Sequence, residues 1–124
     1  MIIGFDVDQT ITRCPQFFAV MSDALVSAGH TVLIITFRVD RECTEHDLKE
    51  WGVRYSKLIT YPPELVIDDD PDAWKAQVCR RHDVDVFVDD DPSVLMHMDD
   101  RTFCLLSVDP DRANLPEHKV MPWR

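Results

Sequence analysis

The chain lacks the features that mark several classes of protein. No apolar stretch is long enough to span a bilayer, and no basic leader precedes a hydrophobic core, so neither a membrane segment nor a secretion signal is expected. An apolar strand opening at Met1 leaves no room for a targeting peptide, and a cytoplasmic protein is the expectation. The four cysteines, Cys14, Cys43, Cys79 and Cys104, form no Cys-x-x-Cys pair, and the five histidines form no i, i+4 pair. A zinc site or a catalytic cysteine therefore has little support, and reduced thiols are the simplest account. Basic residues are scarce against acidic ones, 13 to 23, for a formal net charge of −10. That field opposes non-specific binding to nucleic acid, which depends on Lys and Arg neutralising phosphates. A linker is missing as well, and 124 residues suit one domain, 1–124, with a single core.

What is present is an alternation of short apolar runs and amphipathic stretches. The first run, Ile2-Ile3-Gly4-Phe5, carries no charge and breaks into Asp6-Val7-Asp8-Gln9-Thr10. Uncharged runs of this length belong to buried strands of parallel sheets. Ligands of open α/β sheets lie beyond the carboxyl ends of the strands, which is where Asp6 and Asp8 fall. Carboxylates so close together repel unless a cation or a shared proton intervenes, which points to a hard ion such as Mg²⁺.

Pro15 opens a helix in which Phe17, Phe18, Met21, Ala24, Leu25 and Ala28 recur at helical spacing as core residues, and Gly29 ends it. Thr31 to Thr36 is a second buried strand. A polar helix runs from about Asp40 to Trp51, with Leu48 and Trp51 as its apolar contacts, and a third strand lies around Lys57 to Thr60. A helix from about Pro71 to His82 buries Trp74, Val78 and Cys79, with Arg80 and Arg81 near its end as the helix dipole favours. The run from Val84 to Val88 is a fourth strand ending in Asp89-Asp90-Asp91. A short helix from Pro92 to Met98 and a last strand from Thr102 to Val108 follow. The proline-bearing tail from Asp109 onward is expected to be irregular, with Trp123 as an anchor. Alternating strands and helices imply an α/β fold with right-handed crossovers.

Asp6-Val7-Asp8-Gln9-Thr10 at the end of a buried strand resembles the first motif of the haloacid dehalogenase superfamily of phosphotransferases, with Gln9 where the family most often has Gly. Thr36 resembles the second motif, an apolar strand ending in Thr or Ser. Lys75, one helix before an acid-tipped strand, resembles the third, and Asp89-Asp90 the fourth. A rival assignment takes Asp68-Asp69 as the fourth motif and Lys49 or Lys57 as the third.

The resemblance implies a three-layer Rossmann-like parallel five-stranded sheet in the order 3-2-1-4-5, with no cap domain. It implies a Mg²⁺-dependent phosphatase that hydrolyses phosphomonoesters. Asp6 is then the nucleophile that forms an aspartyl-phosphate, and Asp8 the general acid and base. Thr36 and Lys75 hold the phosphoryl oxygens, and Arg38 contacts substrate, as an arginine there does in several members. Mg²⁺ is held by Asp6, the Asp8 carbonyl, Asp89 and Asp90. An open site admits a nucleotide, a polynucleotide end disfavoured by the net charge, or another small phosphomonoester, and a partner subunit of a homo-oligomer is one source of a lid. Two rivals remain, a phospho-accepting receiver domain and an inactive scaffold of the same fold. The receiver needs a lysine after its fifth strand, where this chain has Ser107-Val108-Asp109.

Overall fold

The computed structural model describes residues 1–64 and 70–108. Five strands, β1 (Ile2–Phe5), β2 (Thr31–Thr36), β3 (Lys57–Thr60), β4 (Val86–Asp89) and β5 (Phe103–Leu106), form one sheet in the order β3-β2-β1-β4-β5. Every pairing is parallel, as the alternating pattern requires. The helices are α1 (Pro15–Ser27), α2 (Arg41–Glu50), α3 (Ala73–Arg81) and α4 (Pro92–Leu95), with a 3-10 turn at Ile11–Arg13.

Alternation along the strands sends successive side chains to opposite faces, and each face meets its own helices. On one face Ile3, Phe5, Val7, Val32, Ile34 and Leu58 pack with Phe18 of α1 and Leu48 of α2. On the other, Leu33, Ile35 and Phe87 pack with Trp74, Val78 and Cys79 of α3 and Val94 of α4. The result is a Rossmann-like three-layer α/β fold. Leu48 is the only fully buried apolar side chain of the otherwise polar α2. Its burial contributes about 1.5–3 kcal/mol and fixes which way that helix faces.

Register aligns the strand tips. Phe5 sits opposite Ile34 of β2 and Val88 of β4, so the residues after β1 emerge beside Thr36 and Asp89. Gly4 sits opposite Phe87, and a Cβ on Gly4 would lie 2.7 Å from the Phe87 ring. Gly29, at φ +89, turns the chain from α1 towards β2.

Several details differ from the sequence expectation. The buried stripe of α1 is rotated, with Phe18 and Ser22 inside, Met21, Leu25 and Val26 partly covered, and Phe17, Ala24 and Ala28 exposed. Ser22 can be inside because its hydroxyl donates to the Ala19 carbonyl and accepts from the Arg54 amide, which removes the cost of a buried polar group. The stretch after Thr10, to which no element was assigned above, is a 3-10 turn that buries Ile11. α3, α4 and β5 are each shorter than expected. Asp68-Asp69 and the tail from Asp109 lie outside the described residues.

Candidate active site

Asp6 continues the ladder one step past β1, its amide donating to the Val88 carbonyl at 3.0 Å. The chain then turns sharply, and Gln9 takes φ 63. That left-handed backbone suits glycine and costs other residues about 1–2 kcal/mol. The turn carries Thr10 back under Asp6, where its buried hydroxyl donates to Asp6 Oδ2 at 2.9 Å.

Lys75 lies in the first turn of α3, a place where lysine is ordinarily a solvated charge. Here it is 2% exposed. Its Nζ donates to Asp6 Oδ1 at 2.6 Å and to Asp89 Oδ2 at 2.7 Å. The ammonium lies 4.6 Å from the centroid of Phe37 and 5.9 Å from that of Phe87. Phe37 packs in turn on Tyr61 and Trp74. Lysine is almost never buried without partners, so two carboxylates and an aromatic wall explain its position. Asp89 ends β4 and is held from its other oxygen by the Asp91 amide at 2.9 Å.

One carboxylate oxygen from each of Asp6, Asp89 and Asp90 lies within 4.8 Å of the others. Burial raises Asp6 to about 7; Lys75 opposes the rise and Asp89 adds to it. Burial likewise pushes Asp89 up against the pull of Lys75. For Lys75, burial pushes down, but Asp6 and Asp89 outweigh it and the net shift is upward. Two of these three carboxylates, Asp6 and Asp89, share the one ammonium of Lys75. An all-oxygen donor set with residual negative charge suits a hard divalent cation, so the residues present fit Mg²⁺ without singling it out from other hard ions.

A second ionic group stands beside the first. Asp8 is not turned into the carboxylate cluster. Arg38 grips it, with Nε at 2.9 Å from Oδ2 and Nη2 at 2.8 Å from Oδ1. The remaining nitrogen, Nη1, donates to Asp47 of α2 at 2.8 Å. The same guanidinium lies 6.0 Å from the Trp51 ring centroid. Hydrogen bonding by Asp8 raises the Arg38 pKa, burial opposes, and Asp47 adds to the rise. Thr36 is buried at the tip of β2, and its Oγ accepts the Arg38 amide at 3.1 Å. That bond fixes the turn leading to Arg38, whereas α2 is capped by Asp40.

The structure therefore gathers Asp6, Lys75, Asp89 and Asp90 into one cluster and Asp8 and Arg38 into another, with Thr36 on the strand beside them. Sequence reasoning assigned no role to Thr10 or Asp47. Thr10 had a signal, a hydroxyl four residues after the first acid. Asp47 had none, because it is one acid among several on a polar helix. Compared with protein-family models, curated proteins and solved structures, the chain matches none of them.

Proposed function

We propose that this protein is a Mg²⁺-dependent phosphomonoesterase of the haloacid dehalogenase type, acting through an aspartyl-phosphate on Asp6. One observation carries the reading. A lysine 69 residues away in sequence is buried against the first acid of the strand-end motif and ties it to the acid ending β4. A purely structural fold gains little from that arrangement. Replacing buried ion pairs by apolar residues is often neutral or stabilising.

Phosphoryl transfer needs an in-line nucleophile, neutralised phosphoryl oxygens and a protonated leaving group. A carboxylate oxygen of Asp6 attacks phosphorus and the ester P–O bond breaks. The leaving oxygen takes a proton from Asp8. Water then attacks the phosphorus of the aspartyl-phosphate, Asp8 takes its proton, and inorganic phosphate leaves with Asp6 restored. Lys75 and the Thr36 hydroxyl hold phosphoryl oxygens. Asp6, Asp89 and Asp90 would hold Mg²⁺, which when bound would neutralise phosphoryl charge. Arg38 has to release Asp8 before that carboxyl can carry a proton, so the contacts seen here suit the base step. The described chain between Thr36 and Lys75 forms only α2 and β3, which supports a capless site.

The inactive-scaffold reading has one observation in its favour, the occupation of Asp8 by Arg38. Steady hydrolysis of p-nitrophenyl phosphate with Mg²⁺ separates the two. Asp6→Asn should abolish that turnover with the fold intact by circular dichroism. Activity near wild type in the variant would show that water attacks phosphorus directly and would end the covalent mechanism.

A further inference from the structure

The Arg38 guanidinium divides its donors between two carboxylates. Nε and Nη2 meet Asp8, while Nη1 donates to Asp47 Oδ2 at 2.8 Å. We propose that Asp47 is a positioning residue of the candidate active site. It holds Arg38 by the nitrogen that Asp8 does not use, and Arg38 in turn sets the place of the Asp8 carboxyl. The hold on the guanidinium stands on these contacts, while its catalytic consequence rests on the phosphatase reading above.

Arginine has many rotamers to lose, and an exposed ion pair does little to hold one of them. Asp8 is such a partner, with its side chain 55% exposed. Asp47 is covered further, at 31%, so water competes less for its contact. It also stands on an element whose orientation is fixed. α2 is capped by the Asp40 side chain, which accepts the Cys43 amide, and it buries Thr44 and Leu48. Asp47 immediately precedes Leu48 in the chain.

Two further contacts act with Asp47. Trp51 follows it by four residues, which puts both on one side of the helix. The Trp51 ring centroid lies 6.0 Å from the guanidinium carbon, within reach of a cation–ring attraction. At the other end, the Arg38 amide donates to Thr36 Oγ at 3.1 Å. The side chain is thus held at its root by the tip of β2 and at its head by α2, before Asp8 is counted. When Asp8 lets go to carry a proton, Asp47 remains to keep the guanidinium beside the site. Proton transfer needs its group within hydrogen-bond reach, and a misplacement of about 1 Å can cost roughly 10²-fold.

Asp47→Ala in the full-length protein tests this. Its kcat/KM, which covers the steps through loss of the leaving alcohol, should fall about tenfold or more for an alkyl phosphate. It should change far less for p-nitrophenyl phosphate, whose leaving group departs without a proton, and thermal unfolding should barely shift. Asp47→Asn keeps an oxygen for Nη1 and should recover most of the loss. Added to Arg38→Gln, Asp47→Ala should lower the alkyl rate no further, because its effect passes through Arg38. Equal changes for the two esters, or a full further loss in the double variant, overturn the positioning role.

The Arg38 Nε–H signal in NMR reads the guanidinium apart from any chemistry. Its exchange with water should be faster in Asp47→Ala than in the wild type and close to wild type in Asp47→Asn. Unchanged exchange in Asp47→Ala overturns the hold on Arg38, whatever phosphatase activity is found. Faster exchange in a protein that hydrolyses no phosphomonoester leaves Asp47 as the anchor of Arg38 and ends the phosphatase reading instead.

Discussion

The two ionic groups at the strand tips use the same chemistry under opposite conditions. Lys75, Asp6 and Asp89 are sealed from solvent, with side chains between 1% and 6% exposed. Arg38 and Asp8 are open, at 23% and 55%. In the sealed group burial dominates, so the carboxyls are pushed up, and removing the ammonium leaves two buried carboxyls facing each other. In the open group the hydrogen bonds are only slightly longer, 2.8–2.9 Å against 2.6–2.7 Å, but water screens each charge and can replace a lost partner. The first group is suited to hold a fixed charge pattern, and the second to change partners within a catalytic cycle. What separates them is exposure, since the bond lengths hardly differ.

The sharpest test of the open group is Asp8→Asn. A general acid matters most when the leaving group departs poorly unaided. The variant should lose roughly 10²–10⁴-fold in phosphoenzyme formation from an alkyl phosphate, and far less from p-nitrophenyl phosphate. Dephosphorylation of the phosphoenzyme by water also needs Asp8, so phosphorylated Asp6 should accumulate as a mass increase after mixing with the aryl ester. Equal losses for the two esters would show that Asp8 transfers no proton.

Next in size is Lys75→Met, which leaves Asp6 and Asp89 facing each other in the core. Removing one partner of a buried ion pair costs about 3–5 kcal/mol, to be read as a drop in the urea midpoint. A drop under 1 kcal/mol would mean the sealed group is wetter than its exposure indicates.

The pH response of the sealed group has a definite sign. Asp6 ionises near 3.8 when unfolded and near 7 when folded. Between those values the folded protein keeps a proton that the unfolded chain releases. The stability this group contributes is therefore fully present below pH 4 and is lost as pH rises through 7, in the absence of metal. Mg²⁺ competes with that proton and binds the folded state, so the rise in Tm on adding Mg²⁺ should be larger at pH 8 than at pH 5. Asp89→Ala should remove the rise. A rise that survives Asp89→Ala but disappears in Asp69→Ala would move the metal site to the other acidic run.

The smallest effect belongs to Arg38→Gln. Solvent-exposed ion pairs contribute about 0–1 kcal/mol, so thermal unfolding should barely shift even though three hydrogen bonds to Asp8 are lost. A loss comparable to Lys75→Met would erase the distinction between the two groups.

Much of this was legible in the sequence, for physical reasons that differ from residue to residue. The strands were readable because β1, β2 and β4 are uncharged runs ending abruptly in Asp6, Thr36 and Asp89, and a parallel sheet brings such ends to one rim. Lys75 was readable from its place one helix before an acid-tipped strand, although nothing local distinguishes it from a solvated lysine. Asp47 was not readable, because its role depends on how far Arg38 reaches across α2. The face of α1 was misjudged because a hydroxyl at Ser22 counts as polar until Ala19 and Arg54 are known to satisfy it.

Gly4 shows how far the sealed group's supports extend. Any side chain there would push into the Phe87 ring, whose centroid lies 5.9 Å from Lys75 Nζ. The same added carbon would also lie 3.4 Å from Ile35 Cδ1. The empty space at Gly4 is thus the clearance that lets one aromatic ring settle at the depth where it flanks the ammonium. A methyl group added in the middle of β1, with no charge and no contact to any ligand, would be transmitted through that ring to the lysine as a displacement.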